Sequence, residues 1–221
     1  MATARRARLS TDARREQLVA LGVEIFSERP FDDVSIDDIA AAAGISKGLL
    51  YHYFPSKRDF YVAVVRHSAD EMQAITETDP ELPPLDRLAD GLDRYLEYVA
   101  THARGFATVL RAGIGSDPEV AAIVEGVRAA MAHRILDDVT ADDPPPPGVR
   151  IAVRGWVGFA EAASLEWLER RDLTRDELRE LLIRALTGAV AATPSVARSM
   201  TIPVAWRSAT RLDTVERLRP V

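Results

Sequence analysis

The stretch Ile39-Ala-Ala-Ala-Ala-Gly44-Ile-Ser46-Lys47-Gly48-Leu-Leu-Tyr51-His52-Tyr-Phe54-Pro-Ser56-Lys57-Arg-Asp-Phe60 decides the fold. It reads as the end of one short helix, a break at Ala43 and Gly44, and a second short helix. Ser46 caps that second helix, since its hydroxyl can accept a free N–H of the first turn. Pro55 stops it, and Ser56 caps a third. Upstream, Ser35 caps the first short helix, and Asp38 three residues on forms a capping box with a shorter acid than usual. Ile36, Ile39 and Ala40 point inward, Ala42-Ala43-Gly44 allows close approach and a sharp reversal, and Ile45 plugs the core beneath the turn. Leu50, Tyr53 and Phe54 fall on the core side, while Lys47, Gly48 and His52 are spaced to share the opposite face.

Outward from this stretch, apolar residues recur at helical spacing almost everywhere and no alternating strand pattern is found, so the chain is all-α. A first helix over 12–28, capped by Ser10 or Thr11, carries a stripe of Leu18, Leu21, Val23, Ile25 and Phe26, and Pro30 ends it. The helix opened by Ser56 runs to about residue 76. Proline-rich 79–84 is a linker, followed by helices over 85–101, 104–113, 118–138, 149–171 and 174–192. The segment 142–148, with four consecutive prolines, is expected to be an extended connection. Thr174 and Glu177 form a capping box after a tight turn. These patterns divide the chain into an N-terminal arm and helix-turn-helix domain (1–60), a larger helical domain (61–194) and a loosely held tail (195–221).

Short helices joined by a glycine turn make a helix-turn-helix, whose second helix characteristically lies in the DNA major groove. At residues 39–60 the sequence resembles the signature of the TetR family of transcriptional regulators, and the match extends over about 11–65. Phe60 stands where leucine is commoner, a conservative core change. The resemblance implies a homodimer that binds a palindromic double-stranded DNA operator and releases it when a small molecule binds, most simply a repressor. It also implies that Ser35 contacts a phosphate and that Ser46, Lys47 and Gly48 face the groove. Tyr51 and His52 would touch backbone or bases, and Lys57 would grip a phosphate. The serines are helix caps first. Lys47 and Lys57 would ordinarily be solvated charges, but they are the chain's only two lysines. Arg5, Arg6 and Arg8 form a basic arm that either reaches a minor groove or is a solubilising tail.

The remaining helices match the family in architecture and not in motif. Residues 149–171 hold Trp156, Phe159, Leu165, Trp167 and Leu168, and Leu178, Leu181, Leu182, Ala185, Leu186, Ala189 and Val190 stripe the last helix. Two such helices cannot cover these faces alone; pairing 149–171 and 174–192 with the same hairpin of a second copy gives a four-helix interface, the dimer arrangement the resemblance implies, and the alternative is that the rest of the monomer covers them. Tyr95, Tyr98, Phe106, Met131, Trp156 and Phe159 are candidate walls of an apolar effector cavity, with His102, His133 or Arg154 as polar anchors.

Of 221 residues, 28 are basic and 34 acidic, a formal net charge of −6, and cysteine is absent. The missing cysteine excludes disulfide scaffolds, thiolate metal sites and cysteine nucleophiles. No run approaches the ~18 apolar residues of a membrane span, and no apolar segment follows the basic start, so a soluble cytoplasmic protein is expected. The negative average conceals a distribution. Residues 1–60 carry nine basic and nine acidic side chains, so the excess acid lies wholly beyond them.

His67 and Glu71, and His133 and Asp137, stand one helical turn apart, but no third ligand, oriented nucleophile or phosphate-cradling loop accompanies them. Neither catalysis nor a metal or cofactor is expected. The alternative to a DNA-binding regulator is a helical small-molecule-binding or scaffold protein whose helix-turn-helix no longer binds DNA.

Overall fold

The computed structural model describes residues 10–140 and 144–193, without the side chains of 111–116. Arg5, Arg6, Arg8 and the 195–221 tail lie outside the described residues. The described helices are α1 (Thr11–Glu28), α2 (Ile36–Ala42), α3 (Lys47–Tyr53), α4 (Lys57–Ile75), α5 (Pro84–Thr101), α6 (Ala103–Ser116), α7 (Pro118–Val139), α8 (Pro147–Arg170) and α9 (Arg175–Ala191). The fold is all-α, as the periodicity predicts.

The caps are where cap chemistry puts them. Ser10 accepts the Ala13 N–H at 3.1 Å and Ser46 that of Leu49 at 3.2 Å. Ser35 accepts from the Asp38 N–H at 3.1 Å while the Asp38 carboxylate accepts from the Ser35 N–H at 2.9 Å, so the box closes with the shorter acid. Thr174 and Glu177 close a second box. Such caps each contribute ~1 kcal/mol.

Three expectations need correction. A 3-10 turn, Phe31–Asp33, intervenes between α1 and α2. The extended connection ends sooner than expected, because Pro147 and Gly148 open α8; proline at the first helical position lacks only an N–H that would go unbonded anyway. The buried stripe of α1 is Leu18, Val19, Gly22 and Phe26, with Leu21, Val23 and Ile25 only partly covered. Gly22 sets that rotation. A Cβ there would lie 2.4 Å from Val64 Cγ2 and 2.7 Å from Phe60 Cζ, so α4 approaches α1 where the side chain is missing.

The chain forms two compact units. Among the described residues, the first comprises those up to Glu71 together with His102–Ile123, the second Met72–Thr101 and those from Val124 onward. In the first, Ile39, Leu50, Phe54 and Phe60 are fully buried. Aromatic rings line up from the α1 end into α4: Phe26 meets Tyr61 edge-on at 4.9 Å, and Phe54 meets Phe60 at 4.9 Å. Edge-to-face contacts of this kind add to the burial of the rings themselves.

In the second unit, α8 and α9 form a helical hairpin. Trp156 Nε1 donates to the Leu182 carbonyl and Trp167 Nε1 to that of Leu173, both at 2.8 Å, so each indole is buried with its one polar atom satisfied. Arg171 ends α8 in the left-handed region (φ 55°), with its guanidinium over the Trp167 ring. A bidentate Arg128–Glu161 pair ties α7 to α8, and Arg179–Asp93 ties α9 to α5.

Candidate nucleic-acid interface

α2 and α3 meet across a turn in which Gly44 takes φ 63°, a conformation that favours glycine because it has no Cβ. The Ile45 N–H bonds the Ala40 carbonyl at 3.0 Å and closes the turn. α3 is divided sharply. Leu50 is fully buried, followed by Phe54 just beyond the helix, whereas Ser46, Lys47, Gly48, Leu49, Tyr51 and His52 are exposed. Leu49 and Tyr51 keep 40% and 42% of their surface open. Gly48 has nothing within 4 Å of where a Cβ would stand, so it faces open space.

Lys47 Nζ lies 3.0 Å from Asp37 Oδ2, bridging α3 to α2, and this hydrogen bond raises the lysine's pKa. The salt bridge holds the ammonium beside the open face of α3. Ser35 and Ser46 each accept a backbone N–H; the Ser46 hydroxyl proton is left to donate, whereas that of Ser35 is directed at the Asp38 carboxylate. Asp38 is held below the usual carboxylate range, first by the Ser35 backbone N–H, then by the Ser35 hydroxyl and Arg29.

Lys57, expected as a phosphate contact, is also bound within the protein. Its ammonium donates to the carbonyls of Phe31 (2.9 Å) and Val34 (3.0 Å) and stands 4.0 Å from the centre of the Phe31 ring. It clamps the segment between α1 and α2 onto α4, and one N–H remains. Leu49 and Asp37 were missed by sequence reasoning. Helical rotation from buried Leu50 was the signal available for Leu49; none marked Asp37, ten residues before its partner.

In the second unit α5, α7 and α8 line a cavity of about 80 Å³. Of the expected walls, Tyr95, Met131 and Trp156 line it. Tyr98 is buried in α5 but does not, Phe106 belongs to the first unit, and Phe159 is 42% exposed. The expected anchors are elsewhere too: His102 precedes α6 in the first unit, His133 faces solvent beside Asp137, and Arg154 pairs with Glu125 at 2.8 Å. The polar wall is instead Thr76, Thr78, Arg87, Arg134 and Asp138. Burial raises the Asp138 carboxyl against the pull of Arg87, and burial pushes the Tyr95 phenol up.

Along the hairpin, Trp156, Trp167, Leu178, Leu182, Leu186 and Val190 are buried within the chain itself. Ile151 and Phe159 on α8 and Leu181 on α9 stay exposed. Among the described residues no three His, Asp or Glu side chains cluster as a metal site would need, and no helix is long and apolar enough to cross a membrane.

Comparison with known proteins agrees with this geometry. The profile "Bacterial regulatory proteins, tetR family" matches residues 18–64, and "Tetracyclin repressor-like, C-terminal domain" matches 84–189. A solved tetR-family transcriptional regulator from Streptomyces coelicolor is 34% identical, with a TM-score of 0.78 over 91% of this chain and 90% of that one. The transcriptional activator FasR of Mycolicibacterium smegmatis is 27% identical, over 85% of this chain and 87% of its own. The regulator EthR of Mycobacterium tuberculosis is 31% identical over 49% of this chain and 50% of its own. The chain belongs to the TetR family and is a DNA-binding regulator of transcription, not an enzyme.

Proposed function

We propose that the protein acts as a cytoplasmic homodimer that binds a palindromic operator through α3 of both copies and leaves it when a small molecule occupies the second unit. The observation that carries this reading is the exposed face of α3, with Leu49 and Tyr51 open to solvent in a helix otherwise anchored by Leu50. Lys47 and Tyr51 would meet bases or phosphates, Leu49 a thymine methyl, and His52 the groove wall. Ser46 would donate to a phosphate from its cap, Ser35 would contact one by turning its hydroxyl proton from Asp38, and Gly48 would admit the backbone. Lys57 would add its remaining N–H to a phosphate while keeping its structural bonds.

The second copy would cover Ile151, Phe159 and Leu181, which one chain leaves open, through an isologous pairing of α8 and α9. Repression by occupying a promoter is the simplest use of such binding. FasR is named an activator, and placement of the operator upstream of a promoter would give that sign with the same contacts.

Gel retardation with the intergenic DNA beside the protein's own gene tests the reading. A fragment retarded at low salt and lost on Tyr51→Ala supports it. Retardation of no upstream fragment favours the scaffold alternative.

A further inference from the structure

The cavity of the second unit has two chemically different ends. Trp156, Met131 and Leu92 form an apolar wall, and Arg87, Arg134 and Asp138 form the other. Arg87 pairs with Asp138 and donates to the Pro80 carbonyl at 2.6 Å, yet its Nε is buried with no hydrogen-bond partner. Arg134 donates to the Thr76 hydroxyl at 3.1 Å, and no carboxylate among the described residues forms a salt bridge with it. The lining therefore carries two guanidinium charges against one carboxylate. Both guanidinium groups are partly buried, where an unbalanced charge is less well solvated than in open water, and one more negative charge would neutralise this end.

We propose that this cavity binds a short aliphatic monocarboxylate, its carboxylate on Arg134 and the free Nε of Arg87, its chain against Trp156 and Met131. A cation would be repelled by the arginines, a neutral molecule would leave the excess charge in place, and a dianion would overshoot it. Size sets the length: a dry cavity of ~150 Å³ takes benzene, so about 80 Å³ admits a chain of a few carbons. The anion also competes for Arg134 with Thr76, the residue that follows α4 and whose hydroxyl donates back to the Met72 carbonyl at 2.8 Å. Binding would thus remove the Arg134–Thr76 hydrogen bond just past the end of α4. The assignment rests on the reading of this unit as the effector site.

Isothermal titration of the full-length protein with butanoate, pentanoate, pentanamide and pentylamine tests it. The carboxylates should bind about tenfold or more tightly than the amide, and the amine not at all. Arg134→Gln should lose about tenfold for the carboxylate and nothing for the amide, while Arg134→Lys keeps the preference. Equal affinity for amide and carboxylate, or no heat from any carboxylate, overturns the proposal. Operator release is read separately by gel retardation. Carboxylate binding that depends on Arg134 but leaves the retarded band unchanged contradicts the effector reading and upholds the charge assignment.

Discussion

Arg58 on α4 and Asp117, at the junction of α6 and α7, are 59 positions apart in sequence, yet Arg58 Nε stands 2.6 Å from Asp117 Oδ2 and its Nη2 2.9 Å from Oδ1. Arg58 Nη2 also reaches Glu119 at 3.2 Å, and Arg66 binds the same glutamate at 3.1 Å. One acidic turn thus fastens two α4 arginines inside the first unit. The Arg58 hydrogen bond is the main reason the Asp117 carboxyl lies below its ordinary range.

A lowered carboxyl pKa stabilises the fold fully above its unfolded value, about pH 4, and that stability is lost as acid titrates the folded group. Asp117→Asn should therefore unfold at lower urea concentration at pH 7 and approach the wild type as the pH falls below 4. Urea midpoints measured across that range check it. A constant gap between the two proteins at every pH would contradict the ion-pair account.

Gly22→Ala should destabilise the protein by about 1–3 kcal/mol, because the added methyl meets Val64 and Phe60 at distances real Cβ atoms do not tolerate. The helix-propensity gain of about 1 kcal/mol opposes this and is outweighed. Urea unfolding measures the net sign.

The two lysines should separate in their behaviour. Lys47→Ala should lower operator affinity and reduce the salt slope by about one per site, with the urea midpoint nearly unchanged, since its Asp37 bridge is exposed. Lys57→Ala should also lose about 1–3 kcal/mol of stability, because the Phe31 and Val34 carbonyls lose a charged donor. Anisotropy titrations at several salt concentrations, paired with urea melts, distinguish the two.

Leu181→Glu should shift the proposed dimer to monomer, by placing charge at an apolar side chain that α9 leaves exposed. Light scattering at micromolar concentration reads this directly. A wild-type monomer would remove the interface from the account, and a dimeric L181E would move it away from Leu181.

The caps and the α2–α3 turn were legible in the sequence because their chemistry is local: Ser35, Ser46 and Thr174 bond within three residues of themselves. Lys57 was legible only as a charge, since its acceptors lie 23 and 26 residues back, at a 3-10 turn with no periodicity to announce it. The cavity was half legible. Trp156 and Phe159, three residues apart on one helix, are equally apolar, and only packing decides that one is buried and the other exposed. Its polar end draws on α5, α7 and the residues after α4, a convergence that no single stretch encodes.

The central claim is that the open face of α3 reads a two-fold DNA site. Quantitative footprinting on an upstream fragment, with wild type and Lys47→Ala and Tyr51→Ala variants, tests it most directly. The account predicts two symmetry-related protected half-sites, about one helical turn or a multiple of it apart, with protection weakened by both variants. Protection without two-fold symmetry, or protection that both variants retain in full, would contradict it.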